Sequence, residues 1–148
     1  MLRYDLHSHT TCSDGTLSPT ELMQRADIKQ LDVLAITDHD CIAGLPEAKE
    51  YIQKTNSRLE LVNGVEISTQ WQGFEIHIVG LAIDTYSVEL QNLLQDQQNK
   101  RESRAIKIGN KLAKKGFPSV YDKAREYAAG TIISRTHFAK ALLDCGAV

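Results

Sequence analysis

The sequence predicts an α/β fold, a sheet with helices packed against it. Two observations carry this. Short apolar runs rich in β-branched residues alternate with capped, helix-period segments in the order strand–helix–strand–helix–strand. The apolar run Val33–Ile36 ends in Thr37-Asp38-His39-Asp40, the layout of a buried strand delivering a functional loop.

The first strand begins at Tyr4–His7, and Thr10–Gly15 reads as a polar loop. Ser18-Pro19-Thr20-Glu21 marks a helix start: Ser18 caps, Pro19 sits where no N–H is needed, and Glu21 completes a capping box. Leu22, Ala26 and the Ile28–Leu31 stretch supply its apolar side. Val33–Ile36 is a buried strand that delivers Thr37-Asp38-His39-Asp40. A second helix spans Leu45–Thr55. Leu59–Ser68 is a strand interrupted at Asn63-Gly64, where a bulge or turn is expected. Gln70–Gly73 then reads as the connection to a further strand, Phe74–Ile83. Val88–Lys115 has the period of one long polar helix, ended by Gly116-Phe117-Pro118. Helices near Val120–Ala129 and Arg135–Asp144 close the pattern, the last stopped by Gly146.

At 148 residues the chain can bury roughly 68–70% of its unfolded surface, so it needs no covalent staples. No apolar run approaches the ~20 residues of a membrane span, and Met1–Thr10 lacks a basic-then-apolar leader. Cys12, Cys41 and Cys145 are odd in number and in no zinc-finger or CxxC spacing, which predicts a reducing, cytoplasmic setting and no membrane partner. The net charge of −2 hides a division. Residues 1–95 hold six Lys/Arg against fourteen Asp/Glu, and residues 96–148 hold eleven against five. This predicts an N-terminal acidic unit, 1–95, suited to cations, and a basic helical segment, 96–148, suited to phosphate or simply solvated.

His7 and His9 leave the first strand two apart, so both can face one point. Asp14 lies in the adjacent loop, and its neighbour Gly15 is equally consistent with a plain turn. His39 follows the second strand. Glu66 alternates with Val65 and Ile67, and His77 with Ile76 and Ile78. Taken singly, each has an ordinary reading as a surface or core polar residue; together they bring imidazoles and carboxylates to one end of one α/β unit. That donor set suits a borderline divalent ion such as Mn²⁺, Zn²⁺ or Fe²⁺. Asp5, Asp38 and Asp40 are either partners orienting these histidines or capping residues. There is no GxGxxG, P-loop, GxSxG or HExxH, and no cysteine has the surroundings of a nucleophile.

Asp5-Leu6-His7-Ser8-His9-Thr10, Ser13-Asp14-Gly15, Ile36-Thr37-Asp38-His39-Asp40, Gly64-Val65-Glu66 and His77 resemble the PHP (polymerase and histidinol phosphatase) family of metal hydrolases. Within it, the stretch from Glu66-Ile67-Ser68 to Glu75–Leu81 resembles the bacterial branch of RNase AM and 3′,5′-nucleoside bisphosphate phosphatase. The resemblance implies the N-terminal half of a distorted β/α barrel followed by a helical insertion. It implies up to three divalent ions, Mn²⁺ favoured: one held by His7, His9 and Glu66, a second by Glu66 and His77, a third by Asp14 and His39. The nucleophile would be metal-bound hydroxide, with no side chain attacking. Ser134-Arg135-Thr136-His137 resembles the insertion's phosphate-contacting motif, which implies that Arg135 and His137 bind substrate phosphate. The substrates implied are nucleoside 3′,5′-bisphosphates and the 5′ end of short RNA. The alternatives are a small phosphate monoester, or a metal- or RNA-binding unit without turnover. Family members run on to supply a further His, Asp and His, so exposed half-barrel edges and self-association are also expected.

Overall fold

The computed structural model describes residues 1–147. The elements are β1 (Tyr4–Ser8), α1 (Pro19–Ile28), β2 (Val33–Ile36), α2 (Leu45–Thr55), β3 (Glu60–Trp71), β4 (Phe74–Leu81), α3 (Val88–Lys114), α4 (Val120–Ala128) and α5 (Arg135–Asp144). The α/β architecture is as expected. One four-stranded sheet has the order β1-β2-β3-β4, with β1, β2 and β3 parallel and β4 antiparallel to β3. The polar segments that follow β1 and β2 emerge at one end of the parallel trio, which is where the fold concentrates its chemistry.

Helix α1 starts as its sequence dictates: Ser18 Oγ accepts from the Glu21 amide and Glu21 Oε2 accepts from the Ser18 amide at 2.8 Å. Leu34 and Ile36 of β2 pack with Met23 and Ala26 of α1 and with Leu45 and Ala48 of α2 in the first core. Ile28, expected on this apolar side, is exposed. Two residues beyond Ala26 is about 200° round the helix, so the geometry turns it to solvent.

The interruption expected at Asn63-Gly64 is absent: β3 runs through it and pairs with β4 in unbroken register from Gly64↔Leu81 to Trp71↔Phe74. Gly64 is required for close approach instead. A Cβ there would meet Thr37 Cγ2 at 2.7 Å and the Ile36 carbonyl oxygen at 2.9 Å. The hairpin turn is Gln72-Gly73, both with positive φ (48° and 86°), as a tight two-residue loop between twisted strands demands.

Helix α3 is continuous across residue 95, so the charge changes sign along a single helix. Ala105 of α3, Val120, Ala124 and Ala128 of α4, and Phe138 and Ala141 of α5 form a second core with Ile133. Its small residues bring the helices close, and the Gly109 position of α3 lies against the Tyr121 ring. Among the described residues no helix is long and apolar enough to cross a membrane.

Candidate metal centre

The end of β1 carries His7 and His9, the loop after β2 carries His39, β3 carries Glu66 and β4 carries His77. The β2 loop is held in place by extending the sheet's pairing. The Glu66 amide donates to the Asp38 carbonyl at 3.1 Å and the Asp40 amide to the Glu66 carbonyl at 2.9 Å, leaving His39 paired beside Glu66.

Glu66, 6% exposed, is the hub. Its Oε2 lies 2.8 Å from His7 Nε2 and 3.0 Å from His9 Nε2, and its Oε1 lies 2.8 Å from His77 Nδ1. His39 Nδ1 is 3.7 Å from Oε2, and Asp14 Oδ1 is 3.7 Å from His9 Nδ1 and 3.8 Å from His39 Nε2. The six residues therefore form three overlapping groups: His7, His9 and Glu66; His9, Asp14 and His39; His39, Glu66 and His77. In each, one donor atom per residue lies within 4.8 Å of the others.

The electrostatics follow from this crowding. Burial alone would raise the Glu66 pKa, but His7, His39 and His77 outweigh it and hold the carboxyl below its usual range. Burial pushes the His39 imidazole down, against the pull of Asp14 and Glu66. His9 Nδ1 and His39 Nδ1 are buried with no hydrogen-bond partner among the described residues; their nearest carboxylates, near 3.7 Å, lie beyond bonding range. Orphaned buried nitrogens are costly and rare. A divalent cation lodged between these imidazoles and carboxylates would satisfy them, and the mixed donor set suits Mn²⁺, Zn²⁺ or Fe²⁺.

Three aspartates left open by the sequence acquire distinct places. Asp38, 1% exposed, accepts from the Thr10 amide at 2.7 Å, the Thr10 hydroxyl at 2.6 Å and the Ser13 hydroxyl at 2.6 Å, clamping the loop between His9 and Asp14. Asp40, fully buried, accepts from the Ser68 amide and from Arg101 Nε. Asp5 is exposed, and among the described residues its side chain meets only the His7 amide, at 3.3 Å.

Arg135, at the start of α5, reaches Glu75 Oε2 at 2.8 Å, and Arg104 of α3 reaches Oε1 of the same carboxylate at 3.4 Å. Arg135 heads the causes that hold Glu75 down to about 2. Glu75 Oε1 also lies 3.5 Å from His77 Nε2, so this basic pair adjoins the His cluster. Thr136 Oγ1 donates to Asp14 Oδ2 at 3.2 Å, which brings the α5 start against the loop that carries Asp14. His137 is buried at that start, and its Nδ1 accepts from the Ser134 amide at 3.1 Å, serving the helix cap. Sequence reasoning missed Arg101, Arg104 and Glu75. Only the basic character of residues 96–148 hinted at the arginines, and nothing local marks Arg101 as the partner of a residue 61 positions away.

The PHP domain model matches residues 5–136. A 5′-3′ exoribonuclease from Haemophilus influenzae is 49% identical over 99% of this chain and 52% of its own length. A 3′,5′-nucleoside bisphosphate phosphatase from Chromobacterium violaceum is 40% identical over all of this chain and 52% of its own. Among solved structures, one from Bifidobacterium adolescentis, assigned as a metal-dependent phosphoesterase, superposes with a TM-score of 0.90 at 29% identity. It is covered over 51% of its length and covers 99% of this chain. The chain thus spans about half the length of the relatives it matches. A match over residues 5–136, which takes in every residue of the His–Glu66–Asp14 cluster, shows that the chain belongs to the PHP domain family.

Proposed function

We propose that this chain carries the metal-binding half of a phosphoesterase that acts on nucleoside 3′,5′-bisphosphates and on the 5′ end of short RNA, with Mn²⁺ as its preferred ion. The observation that carries this is Glu66 surrounded by four imidazoles, with two orphaned nitrogens turned toward carboxylates. His7, His9 and Glu66 would hold one ion, Glu66 and His77 a second, Asp14 and His39 a third. Bound divalent cations lower the pKa of water and draw charge from phosphate oxygens.

The protein's own contribution is placement. Asp38 fixes the loop between His9 and Asp14 and so sets the spacing of those two donors. Arg135 offers a guanidinium fork to a phosphate, and His137 orders the helix start that presents it. Glu75 pairs with that guanidinium, so a phosphate binding there exchanges one anion for another. The names of the two relatives support the substrate class. For self-association, the supporting feature is the exposed apolar surface of Trp71, Phe74, Ile76 and Ile78 on the β3–β4 hairpin, and sedimentation equilibrium checks it.

The test is phosphate release from adenosine 3′,5′-bisphosphate with added Mn²⁺, with His9→Ala as control and Mn²⁺ binding followed by calorimetry. Turnover and binding that both vanish in the control support the proposal. Binding without turnover in the native chain would make it a metal-binding unit only, and absence of binding would remove the basis of the reading.

A further inference from the structure

Helix α3 lies along the β3–β4 hairpin and leaves a groove of about 380 Å³ between them. Gln70 and Glu75 line the hairpin side, and Lys100, Arg101 and Arg104 the helix side. A second, shallow hollow lined by α3 residues alone, among them Ser103 and Lys107, shares Lys100 and Arg104 with the groove, and the groove with this open helix face makes one channel along α3. Positions 100, 104 and 107 follow the helical period and fall on one face, about 10 Å from end to end. The inner end of the channel is Glu75, which touches His77 of the cluster.

The charges do not balance. Asp40 and Glu75 are the acidic residues of the channel. Asp40 is paired with buried Arg101, and Glu75 is shared by Arg104 and by Arg135 from outside the channel. Lys100 and Lys107 are exposed and have no carboxylate within ion-pair distance among the described residues. Burial, and to a lesser degree the guanidiniums of Arg101 and Arg135, lower the Arg104 pKa against the pull of Glu75. A basic stripe along α3, faced at its inner part by the Ser68 and Thr69 hydroxyls and the Gln70 amide, fits a flexible chain of phosphates better than a single anion.

Building on the phosphoesterase reading above, we propose that the channel along α3, walled by the β3–β4 hairpin at its inner part and open toward Lys107, holds the backbone of a single-stranded RNA beyond the nucleotide at the His cluster, with Lys100, Arg104 and Lys107 as its phosphate contacts. A mononucleotide bisphosphate has no further backbone to lay along this stripe; an oligoribonucleotide does. The channel is therefore a device for RNA length and leaves bisphosphate chemistry alone.

The experiment compares the full chain with a Lys100→Gln/Lys107→Gln double variant. Both lysines are exposed helix residues, so their replacement leaves folding intact. One arm is fluorescence anisotropy with a labelled single-stranded oligoribonucleotide in EDTA across a salt series. The other is phosphate release from adenosine 3′,5′-bisphosphate with Mn²⁺. The expected result is a salt slope shallower by about 1.4, ~0.7 for each lost phosphate contact, with bisphosphate release unchanged. Unchanged RNA binding and slope in the variant would overturn the proposal, as would absence of RNA binding by the native chain. A parallel loss in both arms would also overturn it, by assigning the lysines to the mononucleotide site. If the native chain releases no phosphate while its RNA binding still depends on the two lysines, the phosphoesterase reading fails and the channel stands.

Discussion

Replacing Asp38 by Ala tests whether one buried carboxylate holds the metal loop in place. Its two oxygens accept three hydrogen bonds, from the Thr10 amide, the Thr10 hydroxyl and the Ser13 hydroxyl, at 2.6–2.7 Å. Thr10, Ser13 and Asp38 are all at most 2% exposed, so water does not stand in for the lost acceptor. Bonds to an ionised group contribute about 1.5–3 kcal/mol each, and a buried donor left unpaired costs about 1–3 kcal/mol. The hydroxyls can rotate toward other acceptors, whereas the amide cannot. The expected destabilisation is therefore about 3–5 kcal/mol, below the simple sum of three bonds. In urea this moves the midpoint by about 2 M at an m-value near 2 kcal/mol per molar. Asp5→Ala is the matched control: an exposed carboxylate with one 3.3 Å contact should change stability by no more than about 0.5 kcal/mol. Mn²⁺ affinity should fall about 10–100-fold in Asp38→Ala, because His9 and Asp14 flank the clamped residues. If the two variants unfold within about 1 kcal/mol of each other, the clamp does not hold the loop and the argument is refuted.

Three more expectations can be checked on the same protein. Added Mn²⁺ at 100 times its Kd should stabilise the chain by about 2.7 kcal/mol, raising Tm by about 5–10 °C, and His9→Ala should lose most of that shift. Burial holds the His137 pKa below its usual value, with Asp14 opposing and Lys140 assisting, so the folded state prefers the neutral ring. The unfolded chain then binds the proton first, and His137's contribution is complete above about pH 6.5 and lost as the pH falls below it. His137→Gln keeps a capping-box residue and should lose less stability than the native chain between pH 7.5 and 5.5 in urea titrations; equal losses would contradict this. Gly109→Ala looks favourable by helix propensity, worth about 1 kcal/mol. The new Cβ would meet the Tyr121 side chain at 2.8 Å, so a net loss of about 1–3 kcal/mol is expected in thermal unfolding.

The elements were legible because local signals agree with the global fold. The Ser18–Glu21 capping box, the buried Val33–Ile36 run and the Gly116-Phe117-Pro118 stop each place an element boundary within a residue or so of where the structure has it. The six residues expected at one point are brought together, because HxH spacing and strand alternation fix which way side chains face. Asn63-Gly64 misled because glycine reports either a turn or a close approach, and only the packed Thr37 side chain shows which. The roles of Asp38 and Asp40 stayed open for a related reason. Their partners stand 25–28 positions away in Thr10, Ser13 and Ser68, and 61 away in Arg101, distances over which no local pattern carries information. Basic composition singled out residues 96–148, but it could not say which arginines turn inward toward Asp40 and Glu75.

The contact of Thr136 with Asp14 across 122 positions has a consequence in time. The ribosome emits the chain from the N-terminus at about 5–20 residues per second, so some 60 residues and about 3–12 s separate His77 from Thr136. All six residues of the cluster exist during that interval while the helix that abuts Asp14 does not. The nascent sheet passes through a stage in which all six of these residues are made and the start of α5 does not yet abut Asp14. Under the metal-binding proposal, an ion that reaches the chain in that interval meets the six donors before the start of α5 abuts Asp14.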